Sequence, residues 1–182
     1  MNNLFIFGVL SIPVIFISRR SLFKPKNHGF YRFLSWECIL WLFASNYRFW
    51  FDEPLSAHQI FSWLLLLVAI YPVIAGTIQL KKKGNQGKIR EDQTLFQFEK
   101  TSRLVDTGIY KYIRHPLYVS LIILTWGIFM KNTTTFLFLT SVLSTAFLYV
   151  TAILDEKECV QYFGKEYQEY RKRTKMFIPF LF

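Results

Sequence analysis

The residue types most suited to chemistry in this 182-residue chain are concentrated in its last third. Arg114, His115 and Pro116 lead into an apolar stretch, and Asp155 with Glu156 follows the apolar hairpin that comes next. Charged groups beside helices of membrane-grade hydrophobicity are costly to hold near lipid unless they bind something. The arrangement predicts a site for a charged, water-soluble ligand at a membrane face, and therefore a candidate enzyme.

The segment after the acidic pair has the pattern of an amphipathic helix. Phe163, Tyr167 and Tyr170 recur at helical spacing, with polar residues on the other side. Glu166 and Arg173 fall four residues before and three after Tyr170, so the three can line one stripe. A helix lying on the membrane explains these aromatics, but it does not explain why two charged motifs border the same short hairpin.

The approach to His115 contains a turn and a helix start. Thr107 and Gly108 form a turn signal, because glycine can take a positive φ. Pro116 lacks an N–H and suits the first turn of a helix. His115 is therefore expected at a helix N-terminus, where free N–H groups attract anions, with Arg114 adding a fixed positive charge. The alternative is that Arg114 and His115 only reach out to the lipid headgroups.

The elements that must position these residues are apolar runs approaching the length that crosses a bilayer. Apolar residues make up 52% of the chain, which includes 20 Phe, 10 Tyr and 5 Trp. Five membrane helices are predicted at residues 4–18, 33–51, 58–80, 117–130 and 135–154, the fourth being short. The expected fold is an all-α integral membrane protein of one domain, with about five transmembrane helices and a C-terminal cytoplasmic amphipathic helix. Three N-terminal spans occupy residues 1–80.

The charges support this count of spans. The net charge is +10, and with five spans 20 of the 22 Lys and Arg residues fall on one side. The positive-inside rule then places the N-terminus outside and the C-terminus and active site in the cytoplasm. So one-sided a distribution makes nucleic-acid binding the weaker interpretation. The first span is not expected to be a removable signal peptide, because its basic cluster follows the apolar run.

Cysteine and histidine contribute little to the prediction. The two cysteines, Cys38 and Cys159, are far apart, and the three histidines are scattered. Neither set has the spacing of metal ligands, so no metal site is predicted.

Taken together, the motifs resemble those of the isoprenylcysteine carboxyl methyltransferase family and its wider relatives, the membrane phospholipid methyltransferases. That family combines an R-H-P-x-Y segment, a two-helix hairpin, an acidic pair and an F-G-x-E-Y-x-x-Y-x-x-R tail. The corresponding residues here are Arg114-His115-Pro116-Leu117-Tyr118, Asp155-Glu156, and Phe163-Gly164-Lys165-Glu166-Tyr167 through Tyr170 to Arg173. Residues 104–110 also look like the family's approach to the histidine. The resemblance covers residues 97–179, which are the expected cofactor-binding and catalytic region.

The resemblance implies S-adenosylmethionine as the methyl donor. Asp155 or Glu156 can neutralise its ammonium, and His115 with the N–H groups of the fourth helix can take its carboxylate. Tyr110 and Tyr118 can lie near the sulfonium or the adenine, because aromatic faces favour positive charge. The family pattern assigns the adenosine side to Gln97, Ser102, Arg103, Leu104 and Val105, and Pro116 and Leu117 complete the predicted cofactor site.

The resemblance also implies a lipophilic acceptor that enters from the bilayer, with membrane lipids as partners. Carboxyl O-methylation of an isoprenylcysteine-like substrate is the favoured reaction, because Arg173 is available to orient a carboxylate. The alternative is N-methylation of a phospholipid ethanolamine, for which Glu166 or Glu156 is the candidate base. Two other classes remain open, namely a sterol-type reductase that uses NADPH and a non-enzymatic lipid-binding protein.

Overall fold

The computed structural model describes residues 2–84, 95 and 99–181, and these residues form six α-helices. The helices are α1 (Asn3–Leu22), α2 (His28–Asn46), α3 (Ala57–Lys83), α4 (Pro116–Phe129), α5 (Thr135–Phe163) and α6 (Lys165–Arg173). Short 3-10 helices occupy Tyr47–Phe49 and Gly108–Lys111. Among the described residues the only β-pairing is one isolated parallel bridge between Ile113 and Lys175. The all-α prediction is thus confirmed for this part of the chain.

Within the described residues, three helices are long and apolar enough to cross a membrane, namely α1, α3 and α5. α4 is apolar but has only 14 residues, and α2 carries Arg32 and Glu37 among its apolar side chains. Large apolar side chains on α1 and α3 face outward, as Ile12 and Tyr71 do. Such outward apolar surfaces are expected of helices in contact with lipid.

Small polar side chains join the helices where they pack. α2 packs against α1 and α5, and α3 packs against α4. Ser35 on α2 lies 2.9 Å from Ser144 on α5 between their hydroxyl oxygens. The hydroxyls of Ser62 and Ser120 donate to backbone carbonyl oxygens of Gly127 and Ala69, at 2.7 and 2.6 Å. Small hydroxyl residues allow close helix contact and hydrogen bonding inside a membrane protein.

Two local predictions about the approach to His115 are confirmed. α4 begins at Pro116, with His115 in the capping position before it. Gly108 has a φ of +62°, and a Cβ there would lie 2.5 Å from the Gln79 side-chain nitrogen. Glycine is therefore favoured at this turn by its backbone conformation, and any Cβ would also displace the Gln79 side chain.

The predicted end of the fifth helix was too early. The apolar run ends at residue 154, but α5 continues for nine residues to Phe163. Hydropathy marks where an apolar environment ends, while the backbone hydrogen bonds of a helix continue wherever the sequence permits. Asp155 and Glu156 consequently lie within a helix, and adjacent helical residues point in different directions.

The far end of the bundle holds a buried lysine. Lys131, just beyond α4, is 1% exposed, and its ammonium donates to Gln59 Oε1 at 3.0 Å. The same nitrogen lies 3.6 Å from the centre of the Trp63 ring and 5.3 Å from that of Trp50. The lysine thus ties α3 to the hairpin that carries the site.

Candidate cofactor cleft

A cleft opens where α4, α5 and α6 meet the segment before His115. It encloses about 680 Å³ of empty space, including the solvent at its mouth. Eight residues predicted to bind cofactor line it, namely Leu104, Val105, Tyr110, His115, Pro116, Leu117, Tyr118 and Asp155. The fold therefore brings together residues from two segments about 40 positions apart, as the motif order predicted.

Asp155 is the member of the acidic pair that faces this cleft. Its Oδ2 accepts a hydrogen bond from the Tyr118 hydroxyl at 3.2 Å and lies 3.5 Å from His115 Nδ1. Its Oδ1 accepts a weak bond from the Cys159 thiol at 3.7 Å. The side chain keeps 18% of its surface exposed. A partly open carboxylate with donors behind it is suited to receive a cation from the cleft.

Glu156 faces away from the cleft and is enclosed by cations. It is 3% exposed, and its Oε1 accepts from Arg114 Nε at 2.6 Å. The same oxygen lies 3.4 Å from His115 Nε2, and Arg171 Nε lies 3.0 Å from Oε2. Because these groups occupy its oxygens, Glu156 positions Arg114 and His115 at the edge of the cleft.

His115 is held on both ring nitrogens and lies beside two aromatic rings. Asp155 and Glu156 contact its two nitrogens, the Tyr118 ring stacks on it at 5.3 Å, and the Phe177 ring lies 6.1 Å away between centres. Burial lowers the pKa of His115, but hydrogen bonds to the two carboxylates raise it by more, so the net pKa lies above its usual value. The positively charged imidazolium is favoured, and it suits an anionic group in the cleft.

Four tyrosines form much of the remaining wall, namely Tyr110, Tyr118, Tyr167 and Tyr170. The Tyr170 hydroxyl donates to the Tyr110 carbonyl oxygen at 2.7 Å, which fastens α6 to the approach segment. Burial raises the pKa of Tyr110, Tyr167 and Tyr170 above the usual value. They are therefore neutral phenols at physiological pH, with aromatic faces suited to a cationic ligand.

A tail segment after α6 completes the framework. The backbone N–H groups of Arg114 and His115 donate to the carbonyl oxygens of Lys175 and Met176, at 2.9 and 3.3 Å. The Arg114 guanidinium also donates to the Thr174 carbonyl oxygen. The backbone on both sides of this pairing is thereby fixed, and His115 enters α4 in a defined orientation. No local sequence pattern predicts this pairing, because it joins residues about 60 positions apart.

The three residues predicted to act on the acceptor, Glu156, Glu166 and Arg173, all lie outside the cleft lining. Glu166 is exposed on α6. Arg173 is 62% exposed on its side chain, and its Nη2 lies 2.6 Å from Asp106 Oδ2. The predicted stripe of Glu166, Tyr170 and Arg173 therefore contributes only Tyr170 to the cleft.

The remaining predicted cofactor residues fall into two groups. Ser102 and Arg103 do not line the cleft, but their backbone N–H groups donate to the Gly84 carbonyl oxygen at 3.0 and 3.3 Å. They draw the start of the approach segment onto the end of α3. Gln97 lies outside the described residues, so its predicted contact with adenosine stays a prediction.

Further lining residues were not foreseen as cofactor contacts, namely Leu80, Leu95, Glu99, Thr101, Arg114, Cys159, Phe163, Tyr167 and Tyr170. Cys159 and Phe163 lie four and eight residues after Asp155 on one helix, so helical periodicity could have found them. Glu99 has no such signal. Its carboxylate accepts from Arg32 Nη1 at 3.1 and 3.3 Å, and this arginine is buried on distant α2.

Comparison with known proteins agrees with this site. Residues 57–166, more than half of the chain, match the family described as phospholipid methyltransferase. The protein therefore belongs to the phospholipid methyltransferase family of membrane methyltransferases, and the resemblance predicted from the motifs is confirmed. The match also favours the methyltransferase class over the reductase and non-enzymatic alternatives.

Curated relatives match this chain over shorter stretches than the family does. The chain is 32% identical to methanethiol S-methyltransferase 1 of Bradyrhizobium diazoefficiens over 71 residues, which are 39% of this chain and 24% of that protein. It is 37% identical to methanethiol S-methyltransferase of a Pseudomonas species over 71 residues, 39% of this chain and 26% of that protein.

A third relative acts on a different acceptor class. The chain is 36% identical to protein-S-isoprenylcysteine O-methyltransferase of Schizosaccharomyces pombe over 81 residues, 43% of this chain and 34% of that protein. The matched region thus spans about a quarter to a third of the length of these relatives. No solved structure gives a significant match to this chain.

Proposed function

We propose that this protein is an integral membrane enzyme that transfers a methyl group from S-adenosylmethionine to a lipophilic acceptor with a thiol or carboxyl nucleophile. The observation that carries the proposal is the cleft in which Asp155, Tyr118 and His115 converge. The family match supports methyl transfer, and the printed names of the relatives supply the two acceptor classes.

The donor set of the cleft fits the proposed cofactor. Asp155 offers a partly exposed carboxylate for its ammonium, and His115 offers a cation for its carboxylate. The tyrosine faces suit its sulfonium. When bound, the cofactor supplies an electrophilic methyl group, and the cleft's contribution is to orient and dehydrate the reacting groups. Glu156 holds Arg114 and His115 in place for this purpose.

An apolar groove between α4 and α5 supports a lipophilic acceptor. It is lined by Ile122, Trp126, Val142, Thr145, Ala146, Tyr149 and Phe177. Phe177 also packs against His115, so the groove ends beside the cofactor cleft. A hydrocarbon chain in this groove can stay in lipid while its polar end reaches the cleft.

The nature of the nucleophile follows from the charges of the lining. The sequence pattern favours a carboxylate because of Arg173, but the side chain of Arg173 lies outside the cleft. The lining holds the anions Asp155 and Glu99 as well as the cations His115 and Arg114. With Asp155 and His115 assigned to the cofactor and Glu99 paired with Arg32, Arg114 supports a carboxylate or a thiolate over an amine. In the proposed topology α2 and α4 also span the membrane, in addition to the three long apolar helices. The cleft then faces the cytoplasm.

The test is a turnover assay on the purified protein in detergent. S-adenosylhomocysteine formation is measured with S-adenosylmethionine and three acceptors, which are an N-acetyl farnesylcysteine, a long-chain alkanethiol and phosphatidylethanolamine. We expect turnover with the first or the second and none with the third. Turnover only with phosphatidylethanolamine overturns the anionic acceptor. The absence of calorimetric binding of S-adenosylhomocysteine to folded protein overturns the cofactor assignment itself.

A further inference from the structure

A second cluster of ligating side chains lies behind the cofactor cleft. His28, Asp155 and Glu158 each offer one metal-ligating atom, and these atoms lie within 4.8 Å of one another. Asp155 and Glu158 are three residues apart on α5, so they share a helix face. His28 opens α2, which packs along α5.

The hydrogen bonding of the His28 ring is a second observation about this cluster. His28 is fully buried, and its Nδ1 lies 2.7 Å from Glu158 Oε2. Its Nε2 is also buried and has no hydrogen-bond partner among the residues that the structure describes. Burying a polar atom without a partner is unfavourable. A buried imidazole beside two carboxylates supplies the donor types that a Zn²⁺ ion takes from proteins.

We propose that His28, Asp155 and Glu158 form a binding site for a divalent transition-metal ion of the Zn²⁺ type, and that this ion competes with the cofactor for Asp155. One imidazole nitrogen and two carboxylate oxygens are ligands that Zn²⁺ accepts, with water completing the coordination. The zinc site itself is independent of the proposed function, whereas the competition rests on it.

Solvent reaches the cluster through a groove whose lining shares no residue with that of the cofactor cleft. Glu158 lines an open groove that also contains Lys24, Lys26 and Lys157. These lysines repel a cation, so the ligand bonds from the two carboxylates and the imidazole must exceed that repulsion for the ion to bind. The measured affinity for zinc is therefore the decisive quantity.

Competition follows from the position of Asp155. It is the residue that lies in both the cluster and the cofactor cleft. A metal ion on its carboxylate neutralises the charge that we assign to the cofactor's ammonium. Binding of either cation then weakens binding of the other by the same factor.

The first experiment titrates ZnCl₂ into chelator-treated, detergent-purified protein by calorimetry. We expect one zinc ion to bind wild type and His58→Asn, a control at an exposed histidine near the start of α3. His28→Asn and Glu158→Gln should each weaken binding by about tenfold or more. Glu158→Gln carries the test if His28→Asn does not fold.

A cysteine control separates this cluster from the neighbouring thiol. Cys159 contacts Asp155, and thiolates bind zinc well. Cys159→Ser should retain zinc binding. The site is overturned if wild type binds zinc no better than His28→Asn, or if Cys159→Ser loses binding while His28→Asn keeps it.

The second experiment measures S-adenosylhomocysteine binding with chelator and with saturating zinc. Zinc should weaken it by about tenfold or more in wild type and leave it unchanged in His28→Asn. Zinc that binds without affecting S-adenosylhomocysteine overturns the competition. Failure of S-adenosylhomocysteine to bind even with chelator overturns the proposed function instead, and the zinc isotherm still decides the metal site.

Discussion

Arg114 Nε and Glu156 Oε1 lie 2.6 Å apart and form a buried ion pair between the residue before His115 and the middle of α5. The pair is 9% exposed on the arginine side and 4% on the glutamate side. A buried pair of this kind adds little net stability over an apolar pair, but removing one partner leaves an uncompensated charge. Its role here is to fix the backbone from which His115 and α4 begin.

Glu156→Ala should destabilise the protein strongly. Loss of the carboxylate leaves Arg114 buried without its main partner, at a cost of about 3–5 kcal/mol. Thermal unfolding in detergent measures the effect. Glu169→Ala is the matched control, because Glu169 pairs with Lys172 on the exposed surface of α6 and such pairs contribute little. Equal stability of the two variants would show that Glu156 does not organise the site.

Asp155→Asn should weaken S-adenosylhomocysteine binding while leaving the fold intact. The amide keeps the shape of the side chain but removes the charge that faces the cleft. A charge-assisted hydrogen bond contributes about 1.5–3 kcal/mol, so calorimetry should show binding weaker by about tenfold to a hundredfold. Asp52→Asn, at an exposed loop, is the control. Undiminished binding in Asp155→Asn would assign the ammonium to another group.

Gly76→Leu should distort the cleft by displacing the lining residues Pro116 and Tyr110. A Cβ at Gly76 would already lie 3.1 Å from Pro116 Cγ and 3.4 Å from the Tyr110 hydroxyl. A larger side chain forces α3 away from the start of α4, and overpacking of this kind costs about 1–3 kcal/mol. Gly8→Leu is the matched control, because nothing lies within 4 Å of its Cβ position. Unfolding temperature and cofactor affinity should both fall only in Gly76→Leu.

Lys131→Ala should lower stability without affecting cofactor binding. It removes a hydrogen bond to Gln59 and a cation–π contact with Trp63, together worth about 1–3 kcal/mol. The lysine and His115 flank opposite ends of α4, about 20 Å apart for a helix of this length. Lys165→Ala, at an exposed position, provides the comparison. If the free energy of cofactor binding changed as much as the free energy of unfolding, the two ends of the hairpin would be coupled.

Ala146→Trp should select against long-chain acceptors. The indole fills the groove beside Phe177, so turnover of a long-chain acceptor should fall while that of its short-chain analogue is retained. Ile74→Trp provides the control, because Ile74 lines a separate lipid-facing groove on α3. Equal loss for both chain lengths would indicate that Ala146→Trp distorts the cleft and that the groove does not hold the chain.

Local sequence patterns correctly predicted the start of α4 and the turn before it, because both depend on the backbone properties of single residues. Pro116 at the first turn of α4 and Gly108 at a positive φ follow from the covalent properties of these residues. The placement of Asp155 in the cleft followed from the order of the motifs. The pairing of Arg32 with Glu99 did not, because it joins residues 67 positions apart and depends on how α2 packs.

Arg173 shows how a local pattern can be correct and still mislead. Its spacing from Tyr170 does place the two on neighbouring positions of a helix surface. The orientation of α6 is set by the burial of Tyr167 and Tyr170, and this leaves Arg173 beside Asp106. Helical periodicity identifies a shared face, but only tertiary packing decides what that face meets.

The backbone pairing of Arg114 and His115 with the tail at Lys175 and Met176 bears on the order of biosynthesis. The tail to which His115 is fastened follows α5 in the chain, so it leaves the ribosome after α4 and α5. The membrane hairpin can therefore be in place while the candidate cofactor cleft is still incomplete. The cleft is therefore expected to be completed only after the hairpin has inserted, when the tail docks onto Arg114 and His115.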